Sequence, residues 1–228
     1  MHYLIHCPKS FGSGVEAADA LEKAFVYVAG HYARWSPGGK GPVTFPALCT
    51  MLTQRRIKVP AKTEGGFEVG ESRSGDWDLG EVHTNLRQVE VLIGALRTPL
   101  LKESEHVHVN PTQQSGVDAS GILAGKRWVL ESFGGDNIKS NDKIQEDLGK
   151  LWIESDLGSR MFFAARNIPK RIEGKIDGYY YEKRSDEKGD PVRKKRSEQF
   201  NVKILEREPV CLLESTLDRD MLILADPA

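Results

Sequence analysis

Residues 116–166 read GVDASGILAGKRWVLESFGGDNIKSNDKIQEDLGKLWIESDLGSRMFFAAR, and the order of elements in this stretch decides the fold. Asp118 opens one predicted strand. Glu131 lies within the next, an apolar run through Trp128, Val129 and Leu130 that continues to Phe133. A short amphipathic helix carrying lysines follows, and then a second apolar strand from Met161 to Ala165. Carboxylates on adjacent strands converge on one point. There they are expected to hold a hard cation such as Mg²⁺, which takes oxygen ligands and leaves positions for water and phosphate. That arrangement points to metal-assisted cleavage of a phosphodiester.

Upstream, the best-patterned helix is predicted over about residues 78–97. Leu79, Val82, Leu86, Val89, Ile93 and Leu96 recur at steps of three and four, and Thr98-Pro99 stops it. A strand-like alternation follows from Glu105 to Val109, then a turn-rich segment that leads to Asp118. Ala124-Gly125 breaks the chain before the Glu131 strand. Nearer the N-terminus, Ser13 is expected to cap a helix from about Val15 to Arg34, with Leu21, Phe25, Val28 and Tyr32 on one face. A short helix is expected near Phe45 to Gln54, and residues 60–76 read as an exposed loop or hairpin. After Pro169, two strands (Lys175 to Lys183 and Phe200 to Glu206) are joined by a polar loop that holds Arg193, Lys194, Lys195 and Arg196. A last strand or helix contains Leu212-Leu213 and Met221 to Leu224.

Composition bounds the function. The chain has 228 residues, 39% hydrophobic and 29% charged, so a packed core is feasible and disorder is not expected. A net charge of −1 removes any argument from overall basicity, so nucleic acid must be bound by local patches. No apolar run reaches the roughly 18 residues of a membrane span, and MHYLIHCPKS is too weakly apolar for a secretory signal. Cys7, Cys49 and Cys211 are odd in number and widely spaced, which argues against a disulfide framework and fits a reducing cytoplasm.

The order helix, strand, strand, strand, helix, strand, with an acid opening the second strand and Glu131 in the third, resembles the core of the PD-(D/E)XK nuclease superfamily. The likeness covers about residues 78–166. It implies an α/β fold with a central mixed sheet flanked by helices and a restriction-endonuclease-like core. It also implies that Asp118 and Glu131 bind Mg²⁺ and that a lysine positions the attacking water. The motif's lysine position is Phe133, a departure from the pattern. Some members carry the lysine on the following helix, where Lys143 stands here. Asp147 and Lys150 lie one and two turns further along on roughly the same face.

Each candidate has a plainer reading. Asp118 fits an ordinary turn, and Lys143 a solvated helix lysine with Lys139 and Lys150 as its competitors; Glu81 and Glu90, candidates for the extra acid that some members of the superfamily place on the first core helix, fit exposed helix carboxylates. Glu131 is harder to dismiss, because an unpaired carboxylate in an apolar strand is costly. His106 and His108 have a spacing usable for zinc but no third ligand, so they read as ordinary strand histidines. The segment from Lys183 to Arg196 is the expected backbone-contacting arm, with a solvated hairpin as its plain alternative.

The expectation is therefore a Mg²⁺-dependent DNA endonuclease of restriction-enzyme type, cytoplasmic and not membrane-bound. Its catalytic residues are Asp118, Glu131 and Lys143, with Asp118 and Glu131 as metal ligands. DNA contacts come from Arg193, Lys194, Lys195 and Arg196, and cutting both strands at a symmetric site calls for a homodimer. Three regions are expected: 1–75, mainly helical and accessory; 76–168, nuclease-like; and 169–228, β-rich with a basic hairpin. The rival is a non-catalytic nucleic-acid-binding or assembly protein on a decayed nuclease scaffold, for which Phe133 speaks.

Overall fold

Ser13 begins the regular structure by ending one strand and capping the helix that follows. Its Oγ accepts the Glu16 N–H at 3.2 Å, while Glu16 Oε2 reaches back to accept the Gly12 N–H at 3.0 Å. Two amides at the helix start are thus satisfied reciprocally. Strand β1 (Ser10–Ser13) precedes this cap and helix α1 (Gly14–Trp35) follows it. The computed structural model describes residues 10–35, 44–54, 56–57, 61–63, 66–68, 81–110, 116–135, 142–156, 158–182 and 193–217.

Helix α2 (Phe45–Thr53) buries Leu48 and Leu52. Strands β2 (Ala61–Thr63) and β3 (Gly66–Glu68) form a separate antiparallel hairpin within the segment expected to be a loop or hairpin. Helix α3 (Glu81–Leu96) turns Leu86, Val89, Ile93 and Leu96 inward as its periodicity required. Then come β4 (Glu105–Val109), β5 (Ala119–Leu123), β6 (Lys126–Phe133), helix α4 (Asp142–Glu154) and β7 (Arg160–Ala165). The order from α3 is helix, strand, strand, strand, helix, strand, as expected. Strands β5 and β6 join through Ala124-Gly125, both at positive φ (51° and 74°), the turn that matches strand twist in a tight hairpin.

The main sheet has eight strands in the order β1-β4-β5-β6-β7-β10-β9-β8, completed by β8 (Gly174–Glu182), β9 (Arg193–Glu206) and β10 (Cys211–Leu217). Among the described residues its one parallel pair is β6 with β7, so the sheet is mixed and the protein is α/β. A parallel return requires a crossover, which α4 supplies.

One correction concerns the basic stretch expected in the loop after β8. The hairpin ladder runs further than the composition suggested, pairing Tyr179 with Arg196, Tyr180 with Lys195, Tyr181 with Lys194 and Glu182 with Arg193. Arg193, Lys194, Lys195 and Arg196 therefore begin β9. The physical reason is that an established antiparallel ladder continues to satisfy backbone groups regardless of surface charge. The side chains of these four lie outside the described residues, as do Leu79 and the Met221–Leu224 segment.

Side chains on successive strand residues alternate between two cores. Trp128, Leu130, Phe162, Ala164 and Leu212 face α1, α2 and α3. Val129, Met161, Phe163, Ala165 and Leu213 face the apolar side of α4, made by Ile144, Leu148 and Leu151. Residues of α1 and α2 share the first core with the sheet, and β1 pairs with β4, so the N-terminal region is built into the sheet's face and edge.

Helix α4 also packs against β8 at the far edge. It touches β6, β7 and β9 as well. Register shifts interrupt the β10-β9-β8 side at Leu212/Leu213 and at Asp177/Tyr179. At the contact, a Cβ on Gly149 would fall 1.8 Å from the Tyr179 carbonyl oxygen, so only glycine lets α4 sit this close.

Candidate metal centre

Asp118 and Glu131 meet where β5 begins and β6 ends. Strand β5 starts at Ala119, which pairs with Leu130, so Asp118 lies one residue beyond that pair and next to Glu131 along the ladder. Four hydrogen-bond contacts fix the Asp118 carboxylate. Gln88 Nε2 of α3 donates to Oδ1 at 3.0 Å and to Oδ2 at 2.9 Å. The Ser132 backbone N–H and the Ser132 hydroxyl each donate to Oδ2 at 2.7 Å. Gln88 reaches this point because α3 lies hard against the end of β6: a Cβ on Gly134 would stand 2.5 Å from the Gln88 backbone nitrogen.

Glu131 belongs to the α4-facing set, with Phe163 beside it on the parallel neighbour β7. It is 4% exposed. Lys150 of α4 brings its Nζ to 2.5 Å from Glu131 Oε1. One turn earlier, Lys143 Nζ lies 2.5 Å from Oδ1 of Asp147, which is 3% exposed. Lys143, Asp147 and Lys150 share the helix face that their spacing requires. Glu131 Oε1 is met by the Lys150 ammonium, whereas Asp147 Oδ2 has no hydrogen-bond partner among the described residues.

The electrostatics follow from this crowding. Burial, then the Asp118 charge, raises the Glu131 carboxyl to about 8, against the pull of Lys150. Burial raises Asp147 to about 6, with Lys143 opposing and Asp118 adding to the rise. Burial works to lower Lys150, but Glu131, with Asp118 and Asp147 adding to it, holds the ammonium above its ordinary value. Asp118 thus acts on both other acids, so the three carboxylates form one electrostatic unit at this end of the sheet.

Sequence reasoning paired Asp118 with Glu131, and the fold makes them ladder neighbours. It chose Lys143 as the site lysine, whereas the fold brings Lys150 to Glu131 and gives Lys143 to Asp147. It missed Gln88 and Ser132. Phe133, in the motif's lysine position, packs against the α4-facing core instead.

Glu90 of α3 serves elsewhere. It pairs with Arg166 and, at 3.3 Å, with buried Arg87, and both arginines donate to Thr53 Oγ1 of α2. Burial, then Glu90 itself, pushes the Cys49 thiol in this cluster well above its ordinary range. The cluster clamps α2 to α3 and to the end of β7. Of the histidines of β4, His108 brings Nδ1 to 3.3 Å from Ser10 Oγ of β1.

The donor set is all oxygen and partly unsatisfied, which suits Mg²⁺ chemically. As they stand, no three acidic, histidine or cysteine side chains among the described residues are gathered into a ready cation cage; ammonium groups hold Glu131 and Asp147 instead. No described helix is long and apolar enough to cross a membrane. The chain matches no family model, no curated protein and no solved structure.

Proposed function

We propose that this protein is a Mg²⁺-dependent DNA endonuclease built on a restriction-endonuclease-like core. The observation that carries the reading is the adjacency of Asp118 and Glu131 on antiparallel strands, with a helix lysine brought to Glu131 inside an αβββαβ order of elements. Asp118 and Glu131 would hold the cation. When bound, a hard cation supplies charge neutralisation at the phosphate and lowers the pKa of its water.

The chain's own residues do the rest. Gln88 and Ser132 fix the Asp118 carboxylate, so that ligand needs little reorganisation. Lys150 is 42% exposed, so its ammonium can leave Glu131 and donate to water or to a phosphate oxygen. Lys143, held on Asp147, stands two turns away as the alternative donor. Arg193, Lys194, Lys195 and Arg196 begin the strand that pairs with β8, the strand seated on α4. They are the proposed phosphate-contacting arm. Cutting both strands of a symmetric duplex site would require a two-fold dimer.

Phe133 favours one other reading, a non-catalytic nucleic-acid-binding protein in which the lysines merely neutralise buried acids. Replacing Glu131 separates the two. Glu131→Ala should abolish Mg²⁺-dependent cleavage of plasmid DNA and leave DNA affinity largely intact, because affinity comes mainly from phosphate contacts. Wild-type protein that binds DNA but never cuts it would establish the non-catalytic reading instead.

A further inference from the structure

The clamp between α2, α3 and β7 gathers more positive charge than joining three elements requires. Arg87 of α3 and Arg166, the residue after β7, each donate from Nη1 to one oxygen, Thr53 Oγ1, at 2.8 and 2.9 Å. That oxygen is neutral, and its own proton goes to the Cys49 carbonyl at 2.8 Å. Two guanidinium groups drawn to one neutral oxygen repel each other, and the Arg87 side chain is only 2% exposed, so water screens them in part. Glu90 answers both, with Oε2 on Arg87 and Oε1 on Arg166. Arg166 thus shares its carboxylate with a more deeply buried arginine.

Arg166 is also the open member of the cluster. Its side chain is 28% exposed. A guanidinium has five N–H groups. Arg166 commits one to Thr53 and one to Glu90, and the other three are uncommitted among the described residues. Arg87, Glu90 and Thr53 therefore fix the plane of a guanidinium that keeps donors to spare, and a fixed fork loses little freedom on meeting a phosphate.

The cluster stands at the end of the sheet that holds Asp118. Arg166 lies one residue past the Phe133–Ala165 pair of β6 and β7, and Asp118 one residue beyond the Leu130–Ala119 pair of β6 and β5. The two flank β6, two strand spacings of about 4.8 Å apart. Successive residues of α3 serve the two places, Arg87 the cluster and Gln88 the Asp118 carboxylate. Beyond Thr53 the chain reads Gln54-Arg55-Arg56-Ile57-Lys58. The Arg56 N–H turns back to the Met51 carbonyl, Ile57 is buried, and Arg56 is exposed. A chain of net charge −1 needs such a local basic patch if it is to hold nucleic acid.

We propose that Arg166 and Arg56 form a second phosphate-contacting surface, which takes a DNA backbone phosphate flanking the candidate centre. Arg87, Glu90 and Thr53 are the positioning residues that aim Arg166. This rests on the nucleic-acid-binding reading above and not on the metal.

Fluorescence anisotropy of a short labelled duplex, in EDTA and over a series of salt concentrations, tests it without cleavage. Arg166→Gln and Arg56→Gln should each weaken binding to every sequence and lower the slope of log K against log salt by about 0.9, one phosphate contact. Arg166→Lys keeps the charge and should keep the wild-type slope. A wild-type slope in either glutamine variant would overturn the proposal, as when Arg166→Gln lowers only the melting temperature. A slope lost equally in Arg166→Lys would show that the fold was changed and not the charge, and would overturn it too. If the slope drops only when Arg193, Lys194, Lys195 and Arg196 are neutralised, this surface falls and the nucleic-acid reading stands. No DNA binding by the wild type would sink both. Should Arg166→Gln fail to fold, Arg56→Gln alters an exposed side chain, and a wild-type slope in it alone would overturn the proposal.

Discussion

At Glu131 burial and charge work against each other. Burial and the Asp118 charge raise its carboxyl to about 8, far above its value in an unfolded chain. Between about pH 5 and pH 8 the folded protein therefore holds a proton that the unfolded chain has released. Stability should fall as pH rises through that window and level off above it. Asp147, raised to about 6, adds a smaller loss at the acidic end. Urea unfolding across this range should show the decline, and Glu131→Gln should flatten most of it. A wild-type stability that rises with pH over the same window would contradict the burial argument. Asp118, Lys150 and Asp147 act on this carboxyl, so their substitution should shift the window. Glu131 was legible in the sequence because a charge inside WVLESF has no cheap explanation. Gln88 and Ser132 were not legible. A neutral amide and a hydroxyl leave no mark in hydropathy, and only the close approach at Gly134 carries Gln88 to Asp118.

Helix α4 brings Lys150 to Glu131 and Lys143 to Asp147. Lys143 and Lys150 share a face but differ by about 10 Å in height, seven residues at about 1.5 Å each. Spacing alone shows the shared face and not the height at which Glu131 lies. The fold sets that height, and it brings Lys150 to the carboxylate. Lys150→Ala should therefore slow Mg²⁺-dependent cleavage by about 10²-fold or more, the scale for removing one transition-state donor. Lys143→Ala should cost less. Single-turnover rates on one plasmid substrate would compare them, and the reverse ranking would return the role to Lys143. The same limit of local pattern explains β9. Arg193 to Arg196 look like loop by composition, yet the hairpin ladder extends through them, because pairing is decided by the opposite strand.

Across the whole molecule, the run from α3 to β7 was legible because each step is local in sequence: a periodic helix, three successive antiparallel strands and one crossover. The order β7-β10-β9-β8 was not, since pairing β10 between β7 and β9 depends on contacts far apart in sequence. Nor was the close seat of α4 on β8, which needs glycine at position 149. The sharing of one core by α1, α2 and the sheet was hidden for the same reason. Together these features bring strand and helix carboxylates to one end of the sheet. The most direct test is anomalous scattering from a crystal of the full chain soaked in Mn²⁺. A peak within about 2.0–2.6 Å of carboxylate oxygens of both Asp118 and Glu131, with Lys150 withdrawn from Glu131, is the predicted result. Lys150 still paired to Glu131, with no peak at that end of the sheet, would contradict the account.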